Sequence, residues 1–352
     1  MASDNSSPRK NGTASTSEST LAIDAENVHV TYEDGTEAVR GVSLDVVEGE
    51  FFGFLGPNGA GKTTTIRTLV TLLYPTIGTV SINGHDIKTE PQAVRESIGY
   101  MAQETSIDLE LTPHENLRIA CEMYGVPSDE RDERIETLLD LVDLQDVANK
   151  RAENFSGGMQ KRLDTATVLV HRPPVVFLDE PTTGLDPEAR LRVWEYFEKI
   201  NDRGTTVFLT TQYLEEADQL CDRLAVLEDG QIIAAGTPDS LKAAVGTDTL
   251  TVTLERPTDR QKRRAIETIR TVGTLDGATV ESSPSGLAVH VADASGVAPE
   301  VFEALADTGV AISGFDIESP TLDDVFLSLT GDGKDTAVGS ETNGVSPQEV
   351  SQ

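Results

Sequence analysis

The amino-acid sequence predicts an α/β domain with an inserted helical subdomain, followed by a small α+β domain, and three observations carry that prediction. Short apolar runs such as FFGFL and VVFLD alternate with helix-forming stretches from residue 21 to about 240, the texture of an α/β fold. A more purely helical block from about 112 to 154 (PHENLRIACEMYG, then DERIETLLDLVDL) interrupts the alternation with amphipathic Leu and Ile spacing. After about residue 247 the texture changes again: TLTVTLE and GLAVHVA alternate with period two, TDRQKRRAIETIR is helical, and VAISGFDI closes as a further strand.

Each element follows from these patterns. Residues 1–20 and 331–352 are rich in Ser, Thr, Asn and Gly with little apolar content, so both are expected to be disordered tails. Between them, 21–245 is expected to be the α/β domain, with its helical subdomain at about 105–160, and 247–330 the α+β domain. In the last segment, TLDDVFLSL, Leu322, Val325, Phe326 and Leu329 share one helical face, a stripe expected in a core or at a docking face.

Charge is the outlier in the composition. The chain carries 60 acidic and 28 basic residues, a net charge of −32. Such a surface repels nucleic acid and anionic lipid, which excludes nucleic acid as an expected partner. Self-repulsion of this size destabilises a compact state at low ionic strength, whereas at molar salt the Debye length falls to roughly 3 Å. A salt-rich cytoplasm, as in halophiles, is therefore the expected setting. The two cysteines, Cys121 and Cys221, have no CxxC spacing, so neither a disulfide framework nor a zinc site is expected. No apolar core follows MASDNSSPRK, and no window approaches the ~20 apolar residues of a spanning helix. Any membrane role is expected to run through a partner.

The chemistry begins at LGPNGAGKTTT. GPNGAGKT, residues 56–63, fits G-x-x-x-x-G-K-[ST] and lies between the strand FFGFL and a helix-forming run, the context a phosphate loop requires. In the loop of Gly56, Pro57, Asn58, Gly59, Ala60 and Gly61 the glycines let the backbone curl so that its N–H groups face an anion at a helix N-terminus. Lys62 is expected to reach the β- and γ-phosphates of a nucleotide, Thr63 to bind Mg2+ and Thr64 to support the phosphates.

VVFLDE, residues 175–180, supplies a second half: an apolar strand whose C-terminal end carries two carboxylates, where open α/β sheets bind ligands. Successive strand residues point opposite ways. Asp179 fits a magnesium partner acting through water, and Glu180 fits a base that positions the attacking water. Two helix starts follow the same logic. Ser156, Gly157 and Gly158 in NFSGGMQKRLD leave free N–H groups for an anion or make a plain N-cap, and Asp186 followed by Pro187 in TTGLDPEAR is a cap and first helical residue.

A phosphate loop, SGG with a basic run behind it, VVFLDE and GLDP, in that order, resemble the nucleotide-binding subunit of ABC transporters over roughly residues 21–240. The resemblance implies that ATP and Mg2+ are the ligands, with Tyr32 stacking on adenine and Gln103 sensing magnesium. It also implies a head-to-tail dimer, of two copies or of this chain with a closely related ATPase subunit. Ser156, Gly157 and Gly158 then contact the γ-phosphate held by the other subunit, and Asp186 sits in the seam. FSGGM departs from the family signature, with Met159 in place of the usual glutamine.

A second departure is TTQYLEEAD, where Gln212 stands at the position most members give to histidine. An amide can still hydrogen-bond a phosphate oxygen and a water, but it does not titrate near neutral pH. Glutamine at this junction, with PTLDDVFLSLTG at residues 320–331, is similar to the branch typified by the daunorubicin-resistance ATPases. The resemblance implies an ATP-hydrolysing, energy-coupling subunit at the cytoplasmic face of the membrane, driving a separate multi-spanning permease in export of drug-like or lipophilic compounds. Glu180, Gln212 and Lys62 are its expected catalytic residues. Two alternatives stay open at this point: a soluble ABC ATPase of translation or repair, and a non-hydrolysing ATP-dependent clamp.

Overall fold

A computed structural model describes residues 20–330 apart from 256, 273–274, 276–277 and 307. The expected tails lie outside the described residues except for Thr20.

The chain opens with two long strands, β1 (Leu21–Thr31) and β2 (Glu37–Val47), paired antiparallel. A central strand, β3 (Phe51–Leu55), is buried at all five positions, as FFGFL requires. Helix α1 (Lys62–Leu69) starts directly after the phosphate loop. The strands β4 (Ile77–Ile82) and β5 (His85–Asp86) complete a four-stranded antiparallel sheet with β1 and β2, in the order β2-β1-β4-β5. A short helix, α2 (Pro91–Glu96), leads into β6 (Ile98–Met101).

The helical block then follows as α3 (Pro113–Met123), α4 (Arg131–Leu141) and α5 (Gly157–Val168). Helix α3 begins where Thr112 accepts the backbone N–H of Glu115 and the Glu115 carboxylate accepts that of Thr112, with Pro113 at the first turn. This reciprocal cap satisfies two of the helix's orphan donors. Leu117 and Cys121 of α3, Ile135 and Leu138 of α4 and Leu163 of α5 share one core cluster with the sheet residues Val176 and Leu178. The inserted helices are thus packed onto the sheet.

Beyond the helices come β7 (Val175–Asp179), α6 (Pro187–Asn201), β8 (Thr206–Thr211), α7 (Leu214–Leu220), β9 (Arg223–Glu228), β10 (Gln231–Gly236) and α8 (Pro238–Val245). The principal sheet runs β10-β9-β3-β8-β7-β6, parallel except for β10. Phe208 of β8 anchors its second face: its ring centroid lies 5.6 Å from those of Phe52 and Phe54 and 5.5 Å from that of Phe177. Truncating such a fully buried aromatic costs about 3–5 kcal/mol. Because β3, β6, β7 and β8 are parallel, their C-terminal ends face one way. The phosphate loop, Gln103, Glu180 and Gln212 all follow those ends in sequence.

The remaining residues form β11 (Asp248–Leu254), α9 (Asp259–Ile269), β12 (Thr279–Ser282), β13 (Gly286–Val291), α10 (Ala294–Ala306) and β14 (Ile312–Glu318), an antiparallel sheet ordered β12-β13-β11-β14. Leu250, Val252, Ala265, Ile269, Leu287 and Val301 lie in its separate core. The last helix, α11 (Leu322–Thr330), returns to the first unit: Leu322 and Val325 are buried in that unit's core, with Phe326 packed against it. The stripe's fourth residue, Leu329, is 38% exposed. Among the described residues, no helix is long and apolar enough to cross a membrane.

Candidate nucleotide site

Local sterics build the phosphate loop. Gly61 stands at φ 106°, and a Cβ added there would lie 2.4 Å from the Ala38 carbonyl oxygen. At Gly56 an added Cβ would lie 2.3 Å from the Leu227 carbonyl oxygen. Only glycine fits either position, so the loop backbone is held open as a cradle. A cavity of about 190 Å³ is lined by Ala38, Asn58, Gly59, Gly61, Lys62, Thr63, Thr64, Gln103 and Glu180.

Lys62 is 4% exposed, and its ammonium donates to the carbonyls of Gly56 (2.7 Å) and Pro57 (3.2 Å). It also pairs with the Glu180 carboxylate at 3.3 Å. The second carboxylate oxygen of Glu180 accepts from the Gln103 amide at 3.3 Å and the Thr183 hydroxyl at 3.5 Å. Glu180 itself stands at φ 46°, in the left-handed region. Its N–H is held there by the Thr210 carbonyl (3.0 Å) and hydroxyl (3.2 Å). Such an over-determined non-glycine conformation is characteristic of functional positions.

Asp179 points elsewhere, as its neighbouring place on the strand requires. The Thr210 hydroxyl donates to it at 2.6 Å. Burial raises its carboxyl above the ordinary range, the Thr210 bond opposes that rise, and the adjacent Glu180 charge adds to it. Tyr32, 38% exposed, shares a hydrogen bond of 2.9 Å between its hydroxyl and that of Thr64, which leaves its ring beside the phosphate loop. Thr63 lines the cavity. Among the described residues no cluster of three or more His, Cys, Asp and Glu side chains is placed to hold a metal alone. A hydroxyl (Thr63), an amide (Gln103) and a nearby carboxylate (Asp179) make a donor set that fits Mg2+ held jointly with nucleotide phosphates.

The helix-start residues are gathered at a different place. Ser156 caps α5 by accepting the Met159 N–H at 3.3 Å, and Asp186 caps α6 by accepting the Ala189 N–H at 2.9 Å. Ser156, Gly158, Met159, Arg162, Asp186 and Ala189 are among the residues around a second cavity of about 200 Å³. It shares no lining residue with the phosphate-loop cavity. Gly157 is exposed beside it in sequence, and its added Cβ would lie 3.5 Å from Leu185. Gln212 is exposed just beyond β8 and is not among the residues lining either cavity.

Three contributors escaped the sequence reading. Thr210 holds both Asp179 and the backbone of Glu180. Ala38, on β2, presses its carbonyl against the loop glycine. Lys161 of α5 donates to the Gln103 carbonyl at 2.8 Å, tying the helix that starts at Ser156 to the Gln103 loop. The available signals were the threonines closing the apolar run VFLTT for Thr210 and the basic run behind SGG for Lys161; Ala38 had none.

The chain is similar to known proteins over most of its length. Residues 39–183 match the family model described as ABC transporter, and residues 236–330 match that of the ATP-binding protein DrrA1-3-like, C-terminal domain. The chain is 42% identical over 311 residues to the daunorubicin resistance ATP-binding protein DrrA3 of Streptomyces coeruleorubidus, covering 88% of this chain and 96% of that protein. It is 32% identical over 309 residues to the linearmycin resistance ATP-binding protein LnrL of Bacillus subtilis (strain 168), covering 88% and 98%. Among solved structures it is similar to the dimeric ATP-binding cassette MJ0796 in a post-hydrolysis state bound to ADP and Pi. That match has a TM-score of 0.56 and 28% identity, over 61% of this chain and 98% of the other.

Proposed function

Because this chain belongs to the family of ABC transporter ATP-binding subunits, whose ATPase activity is coupled to transport, we propose that it energises an exporter of drug-like or lipophilic compounds. The names of its relatives, daunorubicin and linearmycin resistance proteins, support that class of cargo. The partner is a separate multi-spanning permease, with this subunit seated peripherally on the cytoplasmic face.

The observation that carries the reading is the separation of two half-sites. Lys62, Thr63, Gln103 and Glu180 line one cavity, and Ser156, Gly158 and Asp186 line another. A nucleotide on the phosphate loop therefore meets Ser156, Gly157 and Gly158 from a second chain, in a head-to-tail homodimer or with a closely related ATPase subunit. The dimeric MJ0796 cassette supports this arrangement.

Within the site each residue has a distinct task. The N–H groups of Gly59, Ala60 and Gly61 and the Lys62 ammonium bind the β- and γ-phosphates of ATP. Thr63, Gln103 and Asp179 would hold Mg2+, which when bound would supply positive charge to offset that developing on the phosphoryl oxygens. Lys62 and Glu180 face each other at 3.3 Å, so phosphate binding draws the ammonium away and frees the carboxylate. Glu180 then accepts the proton of the attacking water, and Gln212 donates a hydrogen bond to the γ-phosphate without titrating. Lys62, Asp179 and Glu180 are all in place, which favours hydrolysis over a non-hydrolysing clamp, and the match of residues 236–330 favours the transporter reading over a soluble ATPase.

The test is affinity capture of the Glu180→Gln variant from detergent-solubilised membranes in molar KCl with Mg-ATP. A stoichiometric multi-spanning protein is the expected companion. Recovery of the chain alone from the cytosolic fraction overturns the transporter reading.

A further inference from the structure

On a face formed by α4, the segment between α5 and β7, and the turn before β8 lies a cavity of about 370 Å³. Its lining includes three arginines, Arg134, Arg172 and Arg203, together with apolar residues such as Leu141 and Ile200, and Thr205. None of its described lining residues is acidic. In a chain with 60 acidic and only 28 basic residues, three arginines around one cavity with no acidic residue in its lining oppose the overall composition, and Glu130, which lines an adjoining cavity with Arg134 and Arg172, forms no ion pair with either among the described residues.

The three are not equivalent. Arg134 is half-buried and donates through Nε to the Val170 carbonyl at 3.1 Å and through a terminal nitrogen to the Leu169 carbonyl. Arg172 and Arg203 are exposed, and neither has an acidic partner among the described residues. Arg172 stands at φ 55°, a backbone conformation that a non-glycine residue adopts at a cost. Burial, together with the Arg172 and Arg203 charges, lowers the Arg134 guanidinium to about 10. Like charges are therefore held near one another with no ion pair to any of the three among the described residues, at a cost in stability, in a chain with carboxylates to spare.

We propose that Arg134, Arg172 and Arg203 form an anion site for a phosphate group, remote from the nucleotide. The planar guanidinium forks of Arg172 and Arg203 match phosphate geometry, and Arg134, whose fork is partly engaged by the Val170 and Leu169 carbonyls, adds a third positive charge for a doubly charged oxyanion. The site bridges segments that serve the nucleotide. Arg134 belongs to the inserted helices, Arg172 lies between α5 and the strand carrying Asp179, and Arg203 precedes the strand carrying Thr210. An anion there ties α4 to the N-terminal ends of β7 and β8. The source is either free phosphate or the phosphate of a lipid headgroup.

The experiment uses the full chain saturated with Mg-ADP, in KCl at the lowest concentration that keeps it folded. Inorganic phosphate is titrated while thermal unfolding is followed, for the parent, Arg203→Gln, and Arg172→Gln/Arg203→Gln. Phosphate is expected to raise the parent Tm by about 2 °C or more, a shift that the double variant loses. Arg172→Lys/Arg203→Lys is expected to keep part of it. Without phosphate, Arg203→Gln is expected to melt at or above the parent temperature, because a like charge has been removed. Co-sedimentation with phosphatidylglycerol vesicles, about tenfold greater for the parent than for the double variant, identifies a lipid headgroup as the source. A phosphate-induced shift with no vesicle difference identifies free phosphate. An equal phosphate shift in parent and double variant, or no shift in the parent and no vesicle difference, overturns the site. Arg203→Gln melting below the parent without phosphate also overturns it, because the arginine is then a structural prop.

Discussion

Replacing Glu180 by glutamine separates the carboxylate's pairing with Lys62 from its proposed role in hydrolysis. Glu180 and Lys62 lie 3.3 Å apart, with side chains 8% and 4% exposed. Two unit charges at that distance attract by about 5 kcal/mol at an effective dielectric constant of ~20. Desolvation offsets part of this, and removing one member of a buried pair typically costs about 3–5 kcal/mol. The Gly56 and Pro57 carbonyls still accept from the Lys62 ammonium, so the lower end, about 3 kcal/mol, is expected. For a domain of this size that amounts to roughly 6–12 °C in Tm. In the parent, phosphate has to displace the carboxylate from Lys62; in the variant it does not. Glu180→Gln is therefore expected to lower the Tm of the empty protein, tighten Mg-ATP binding by about tenfold or more, and suppress hydrolysis. Calorimetric unfolding with and without Mg-ATP, equilibrium nucleotide binding and phosphate release measure all three in molar KCl. Hydrolysis at the parent rate refutes the base assignment; unchanged or weaker ATP affinity refutes the competition between carboxylate and phosphate.

Three further outcomes follow from the same structure. Gln212→Ala is expected to slow ATP turnover by about tenfold, the effect of losing one hydrogen bond to a charged group, while leaving nucleotide affinity within about threefold; abolished binding in equilibrium titration contradicts that role. Glu216, fully buried, accepts the Thr182 hydroxyl and the Trp194 indole N–H, both at 2.8 Å, and burial raises its carboxyl above 4.5. The folded state therefore holds that proton more tightly than the unfolded chain, so its contribution to stability is greatest below pH 4.5 and declines as pH rises through the folded value. Glu216→Gln removes this dependence, so the variant's Tm relative to the parent is expected to climb from pH 4.5 towards neutrality, and a flat difference counts against it. Finally, the net charge of −32 is expected to make folding salt-dependent, with Tm falling steeply below about 0.5 M KCl. Equal Tm values at low and molar KCl argue against a salt-adapted chain.

Local chemistry was legible in the sequence because it is decided between chain neighbours. The crowding that admits only glycine at Gly61 appears as a pattern of glycines before a lysine, and the five buried positions of β3 and of β7 appear as FFGFL and VVFLD. The amphipathic block at residues 112–154 contains α3 and α4, and the period-two runs after 247 contain β11 and β13. The stripe of α11 was visible, but its destination was not: Leu322 and Val325 leave the neighbouring sheet and bury themselves in the first unit's core. Periodicity reports which face is apolar and carries no information about the surface that receives it.

What the sequence by itself determined was a phosphate loop, a strand ending in two carboxylates and two capped helices, in an order that identifies the family. Tertiary structure alone decided which of these meet. It brings Gln103 onto Glu180 across 77 positions of sequence and Tyr32 onto Thr64 across 32. It sets Ser156 and Asp186 around a cavity apart from the phosphate loop, and leaves Gln212 outside both cavities. Caps, turns and strand periods arise from short-range sterics and hydrogen bonding, which a linear pattern records. The meeting of distant side chains depends on strand order and helix packing, which are settled only when the whole core closes.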